Sequence, residues 1–529
     1  MRMNLTTDPW IPIVWQNGQA GEVSLIEIFQ RGEDIQDLAM RPQERIALMR
    51  LVICIAQVAI DGPKDYTDWQ ACRSRIALAA VDYLEQWRAA FELFGDKQRF
   101  LQVSDLKPTA KTDEDENASK SVSKLDLSLA TENNSTLFDN AGGSPRGFTP
   151  AQLALMLLTF QCFSPCGRIG VAKWKGKPTP GNGSSDHAPC LVGSMLHALL
   201  RGATLLETIH RNLLDKETVA MLVIGNAAPT IEQSRAAWGR PSWEQFPASS
   251  EDTAKVHNTT STYLGRLVPL SRAIRLQDDG ITVLLANGLE YPPYDQWREP
   301  SCTIVQRKDK SGGAQWRLLN ASLDRAPWRE LHALSVRRVG RDSNGGPVAL
   351  RNTSTTEPFD LWVGGLVADK AKLLDTVEAV FHMPANMLTD PGQRLYEDGV
   401  GHAQELAIRL SRAVITYRKG LGDDLTRRDA RDQAAKFKNR AAAQFWTDIE
   451  RDVQRMLDVV ADPASLTNDI GWSQTVWGKA CWTAALRAFD ATCQHNAPRQ
   501  MQAFALAQKE LFRTTQPDNP KDKPKETEA

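Results

Sequence analysis

The chain has 529 residues and a mass of 58.7 kDa, more than one hydrophobic core can organise, so two or three domains are expected. A hydrophobic content of 42% supplies a large interior, while a net charge of −1 and a pI near 6.7 exclude a protein that coats nucleic acid through its overall charge. No apolar run is long enough to span a membrane, MRMNLTTDPW lacks the apolar centre of a secretory signal, and eight scattered cysteines fit a reducing cytoplasm.

In chain order, Pro9 and Pro12 keep the first segment extended, and Asn17-Gly18 predicts a turn between short strands. Pro42 opens a helix with the apolar stripe Ile46, Met49, Val52, Ile53, Ala56 and Ile60; a second helix is expected over 68–94. Residues 104–128 are polar and poor in aromatics, which predicts a mobile surface loop continuing to 145.

The stretch 131–186 carries the strongest local signal. From Asn140 to Ser185 no residue is acidic, yet Arg146, Arg168, Lys173, Lys175 and Lys177 are basic. They lie in two glycine-rich loops flanking the apolar run TPAQLALMLLTFQCF, which reads as a short buried helix. Glycine-loop amides beside Lys and Arg can hold phosphates or lie along a nucleic-acid groove, and Trp174 between two lysines could stack on a base. A solvated basic loop is the rival reading. Fifteen tryptophans are many for this length; Trp174, Trp238, Trp243 and Trp297 fall in expected loops, where such side chains often anchor interfaces.

After Asp186 a helix is expected over 192–209, then strands at 281–288, 301–307 and 315–319. Asn344-Gly345-Gly346-Pro347 between two strand-like halves predicts a β-hairpin over 334–354, carrying Arg337, Arg338, Arg341 and Arg351. Leu373, Leu374, Val377, Val380 and Phe381 are spaced as one helix face. Similar faces at 402–419 and 437–460, a helix capped by Ser473 and one begun by Pro498 complete a bundle of four or five helices. The expected fold is α+β: a mixed α/β N-terminal domain with β-hairpins (1–365), a helical bundle (366–514) and a disordered tail (515–529).

Catalytic motifs are mostly absent. The span from Gly170 to Gly176-Lys177 is one residue too long for a phosphate loop, and Pro178 replaces the required hydroxyl. Cys162, Cys166, His187 and Cys190 have a zinc-like spacing, but Cys162 lies in an apolar helix and reads equally as a core residue. His402 and Glu405 lack the second pair of a carboxylate metal site. No nucleophile elbow or catalytic set is present, so a non-enzyme without cofactor is expected.

Four segments resemble the CasA family, the large subunit of the type I-E CRISPR surveillance complex Cascade. They are Asn4-Leu5 with Asp8-x-Trp10-Ile11-Pro12, the helix from Leu51 to Gln57, Asn134 to Asn140, and Asn352, Pro358, Leu361 and Gly364-Gly365. The resemblance implies a subunit that reads a protospacer-adjacent motif in double-stranded DNA from the minor groove and helps open the duplex for guide-RNA pairing. It implies as partners crRNA, the backbone, small and Cas5-like subunits, target double-stranded DNA and a helicase-nuclease. Phe138 and Asn140 match the family's motif-proximal loop. Its glycine loop falls in 164–177, with Gly167 and Gly170 as candidates beside Arg168, Lys173, Lys175 and Lys177. Its wedge hairpin falls on 336–351, where Val348-Ala349 replaces a polar pair. Its motif-reading lysine has no clear match; Arg266, Arg272 and Arg275 are the nearest basic residues. The rivals are a nucleic-acid-processing enzyme and a purely structural scaffold.

Overall fold

The computed structural model describes residues 2–109, 119–129, 147–179, 184–225, 229–291, 299–308, 312–341, 343–466 and 471–513. The chain divides into two units, Met1–Met383 and Pro384–Ala529. The α+β class is as expected, with small antiparallel sheets in the first unit and helices in the second.

The first unit is built on the helix Pro42–Ala59. Pro42 sits at its first turn and Glu44 closes back on the backbone of Arg41. Nearly every side chain from Pro42 to Gln57 is buried, as expected of a helix apolar all round. Against it pack the helices Tyr66–Gln86 and Pro150–Phe163 and the strand Phe359–Asp369. Pro150–Phe163 is capped by Thr149 and Gln152 and is buried from Leu153 to Phe163.

Ile11–Trp15 pairs with Ala20–Val23 across the expected Asn17-Gly18 turn, where Gly18 has φ 81°, and with Ile35–Leu38 on its other side. A second sheet orders Arg272–Leu276, Thr282–Asn287 and Ser119–Ser121. Ser119–Ser121 corrects the expected mobile loop for the part described: the strand leads to Val122, Leu125, Leu127 and Leu129, all buried. These four leucine and valine positions tie the segment to the core despite its polar composition.

Two further expectations fail. The span 192–209 is not one helix but the strand His197–Arg201 followed by the helix Leu205–Arg211, begun by its cap Thr204. Lys372–Met383 is a strand, paired along its length with Phe359–Asp369. The first unit therefore ends at Met383 and not near residue 365.

The second unit contains the helices Asp390–Gly420, Arg428–Glu450, Val453–Ala461, Val476–Thr492 and Pro498–Phe512. Tyr396, Val400, Ala403, Leu406, Leu410, Val414 and Tyr417 form the buried face of the first. Gly420 lets it approach Ala503 closely, and Gly399 accepts the Trp477 indole N–H at 2.9 Å and lies against Trp472 and Met456. The expected helix 437–460 is interrupted at Arg451 and Asp452, and Thr475, not Ser473, caps Val476–Thr492. Among the described residues no helix is long and apolar enough to cross a membrane.

Candidate nucleic-acid interface

The glycine-rich stretch 164–188 leaves the end of the buried helix Pro150–Phe163 and returns to it. Its two ends are joined: Ala188 N donates to Ser164 O at 2.9 Å, Cys190 N to Cys162 O at 3.0 Å, and Cys166 N to His187 Nδ1 at 3.1 Å. Gly167–Arg168 pairs with Ser184–Ser185 just beyond, and Gly167 has φ 145°, a region that favours glycine. Arg272 clamps the base. Its guanidinium donates to Pro165 O at 3.1 Å, Asp186 O at 2.7 Å and Ser271 O at 2.9 Å. Burial lowers its pKa to about 10, so it remains a cation at neutral pH. Gln161 fixes the Arg272 backbone in turn, accepting from its N–H and donating to its carbonyl, both at 2.9 Å.

Within the stretch, Ala172–Trp174 and Lys177–Pro178 form a tight hairpin whose edge pairs with Lys107–Pro108. Lys175 with φ 53° and Gly176 with φ 80° make the turn, as two left-handed positions in a two-residue connection should. Alternation then decides each side chain. Ala172 and Trp174 point inward; Lys173, Lys175 and Lys177 are exposed. Trp174 is 3% exposed and tilted against Phe246 with ring centroids 6.2 Å apart, so it anchors the hairpin and is not a stacking surface. Lys177 pairs with Glu251, while Lys107, Lys173 and Lys175 have no carboxylate partner among the described residues. Gly170 is buried. Arg275 is a brace: half-buried, it donates to Leu106 O at 3.3 Å beside Lys107. Trp238 and Trp243 are also core residues, and Phe138, Asn140 and Trp297 lie outside the described residues.

Among the described residues the expected hairpin over 334–354 is not formed. After the helical turn Leu331–Leu334 the chain continues without a paired strand into the 3₁₀ turn Val348–Asn352. The glycines serve close approach instead. Gly345 exchanges both backbone hydrogen bonds with Ile304 at 2.9 Å, and a Cβ on Gly346 would stand 2.0 Å from Leu334 O. Val348 and Ala349, 0% and 6% exposed, are core residues and cannot wedge a base step. Arg338, 1% exposed, donates to Cys302 O at 2.5 Å. Arg337 donates to Leu350 O and Thr353 Oγ1, each at 3.1 Å, Arg341 lies half-buried along Gly225, and Arg351 is exposed.

The model of the family described as CRISPR-associated protein Cse1 matches residues 4–488. The chain belongs to the Cse1 family. A CasA/Cse1 protein of Thermus thermophilus is 27% identical, the match covering 97% of each chain. A Thermus thermophilus CasA (Cse1) structure superposes with TM-score 0.70 at 23% identity over 96% of this chain and 98% of its own. Cse1 of Acidimicrobium ferrooxidans gives 0.73 at 19% identity and 97% of both chains. A chain of a structure described as a CRISPR RNA-guided surveillance complex gives 0.64 at 18% identity, over 97% and 100%.

In this Cse1 chain a second group of titratable residues centres on Arg50 and Glu299. Arg50, the residue that interrupts the apolar run of Pro42–Ala59, donates to Glu299 Oε1 at 2.7 Å. Ser301 Oγ lies 2.7 Å from Glu299 Oε1 and 2.8 Å from His197 Nδ1, its one hydrogen shared between the two acceptors, and His197 Nε2 donates to Cys190 O at 3.0 Å. Burial holds His197 down at about 4, so it is neutral at pH 7. Burial alone would raise Glu299, but Arg50 and His197 outweigh it and bring it to about 2. The adjoining cavity measures about 40 Å³, too small for a nucleotide. This network joins the central helix to the strand His197–Arg201 and is structural. Only Arg50 signalled it in the sequence. Cys162 and Cys190 are buried, and burial pushes the Cys190 thiol well above its usual range. Among the described residues no three His, Cys, Asp or Glu are grouped to hold a metal.

Proposed function

We propose that this protein is the large, non-catalytic subunit of a crRNA-guided type I-E Cascade complex in the cytoplasm. It reads a flanking motif in double-stranded DNA, promotes opening of the duplex and R-loop formation, and offers a platform to the helicase-nuclease. The observation that carries this reading is the Cse1 family match from residue 4 to 488, continuous across both units. The hairpin supports it: Lys173 and Lys175 stand exposed on it and Lys107 on the strand paired with its edge, with Trp174 buried beneath and Arg272 holding the base of the stretch. Such lysines neutralise phosphates, and a nearly neutral subunit suffices because sequence reading rests on RNA pairing. Duplex opening then belongs to residues other than Val348 and Ala349, which are core.

The test is duplex binding by the reconstituted complex carrying Lys173→Glu and Lys175→Glu. Each phosphate contact contributes a salt slope of about −0.9, so the double variant should bind more weakly and lose a slope of roughly 2. An unchanged affinity and slope would remove the hairpin from the interface.

A further inference from the structure

A separate cavity of about 1000 Å³ opens in the first unit between the start of the helix Tyr66–Gln86, the helix Leu205–Arg211 and the segment 351–359. One wall is a ladder of three rings. Trp69 stacks on His210 with centroids 4.6 Å apart and planes 8° apart, and Tyr66 stacks on Trp69 at 5.3 Å and 20°. Two reciprocal bonds lock the inner pair: Trp69 Nε1 donates to His210 O at 3.1 Å, and His210 Nε2 donates to Trp69 O at 2.9 Å. Trp69 is buried, whereas Tyr66 is 46% exposed and lines the cavity. A rigid stack whose outermost ring faces open space is a platform for a further planar ring.

The charge beside this platform is unbalanced. Arg337 and Arg351 both line the cavity; burial lowers the Arg337 pKa, Tyr66 opposes that shift, and the charge of Arg351 adds to it. Arg337 is fixed by the carbonyls of Leu350 and Thr353, and Asn352 holds the same turn by donating to Arg211 O at 2.9 Å and Leu213 O at 2.8 Å. Arg351 makes no hydrogen bond or ion pair among the described residues. The lining carboxylates are mostly committed elsewhere. Glu207 pairs with Arg211 at 2.6 Å, and both oxygens of Asp215 bind Thr218; Glu357 stands exposed. One guanidinium fixed in place and a second, uncommitted one on the same cavity wall favour an anion, and the neighbouring ring favours a base.

We infer that this cavity binds a nucleoside monophosphate unit, free or within a single strand, with its base on Tyr66 and its phosphate between Arg337 and Arg351. The site is distinct from the lysine hairpin and does not rest on the role proposed for it.

Calorimetric titration of the full chain with thymidine monophosphate, with a single-stranded oligothymidylate and with inorganic phosphate tests this. Thymidine monophosphate should bind, and inorganic phosphate should bind at least about ten-fold more weakly, since it cannot stack. Tyr66→Leu should weaken the nucleotide by roughly five-fold or more while Tyr66→Trp restores it, and Arg351→Ala should weaken both nucleotide and phosphate. Lys173→Glu with Lys175→Glu should leave thymidine monophosphate unaffected, which separates this site from the hairpin. An oligothymidylate bound ten-fold tighter than the monophosphate, still dependent on Tyr66, identifies a strand as the source; equal affinities identify the free nucleotide. Both Tyr66 and Arg351 are exposed enough for the variants to fold, which circular dichroism checks. Absence of nucleotide binding, or nucleotide binding indifferent to Tyr66→Leu and Arg351→Ala, overturns the assignment.

Discussion

Arg50, Arg272 and Arg338 are 5%, 6% and 1% exposed, and each turns its guanidinium to backbone carbonyls or to Glu299. Lys173, Lys175 and Arg351 remain at the surface. The two sets are alike in sequence, because nothing in Val336-Arg337-Arg338 marks the second arginine as the one that meets Cys302 O. The buried set also makes stability depend on pH. His197 titrates near 4 when folded and near 6.5 when unfolded. The unfolded chain therefore takes the proton first, and stability present above pH 6.5 is lost as pH falls through 4. Glu299, at about 2 against 4.5, acts in the same direction between pH 4.5 and 2. Urea unfolding of the first unit should lose roughly 3 kcal/mol between pH 6.5 and 4 on account of His197. His197→Asn should flatten that interval; an equally steep slope in the variant would locate the titration elsewhere.

The hairpin around Lys175 was half legible. Its basic tip and glycine turn stand in the sequence, and so does the alternation that points Trp174 inward, but flanking lysines make an anchoring tryptophan look like a stacking one. If Trp174 holds the turn, Trp174→Ala should cost about 3–5 kcal/mol locally, as large-to-small changes in packed sites do. Tryptic cleavage between Lys173 and Lys177 should then accelerate at least about ten-fold, with Trp174→Phe near wild type. Equal cleavage rates would show that the turn is held by its backbone alone. The strand Lys372–Met383 reads as a helix for a different reason. Leu373, Val377, Val380 and Phe381 fit a helical spacing, and the turn at Lys370-Ala371 lacks the usual glycine or asparagine although Lys370 has φ 53°. Pairing with Phe359–Asp369 decided the outcome, and a partner strand is a tertiary fact. The Gly345-Gly346 pair misled in the opposite sense, since glycine required for close backbone approach reads as glycine required for a turn.

For the whole chain, the α+β class was legible from periodicity, but the boundary at Met383 was not. A fragment ending at residue 365 would cut through Phe359–Asp369 and remove its partner strand, exposing Leu361 and Val363, both 0% exposed in the intact unit. Met1–Met383 should therefore unfold in one cooperative thermal transition and a 1–365 fragment should not, as calorimetry will show; cooperative folding of the shorter fragment would contradict the boundary. The proposed role is also a property of the whole chain within an assembly. The most direct test is target-duplex binding by the reconstituted complex with and without this chain, using a matched duplex and one with a scrambled flanking motif. The account predicts that the chain confers the preference for the matched motif, and that Phe138→Ala with Asn140→Ala weakens it. Equal affinity for both duplexes, unchanged when the chain is omitted, would contradict the central claim.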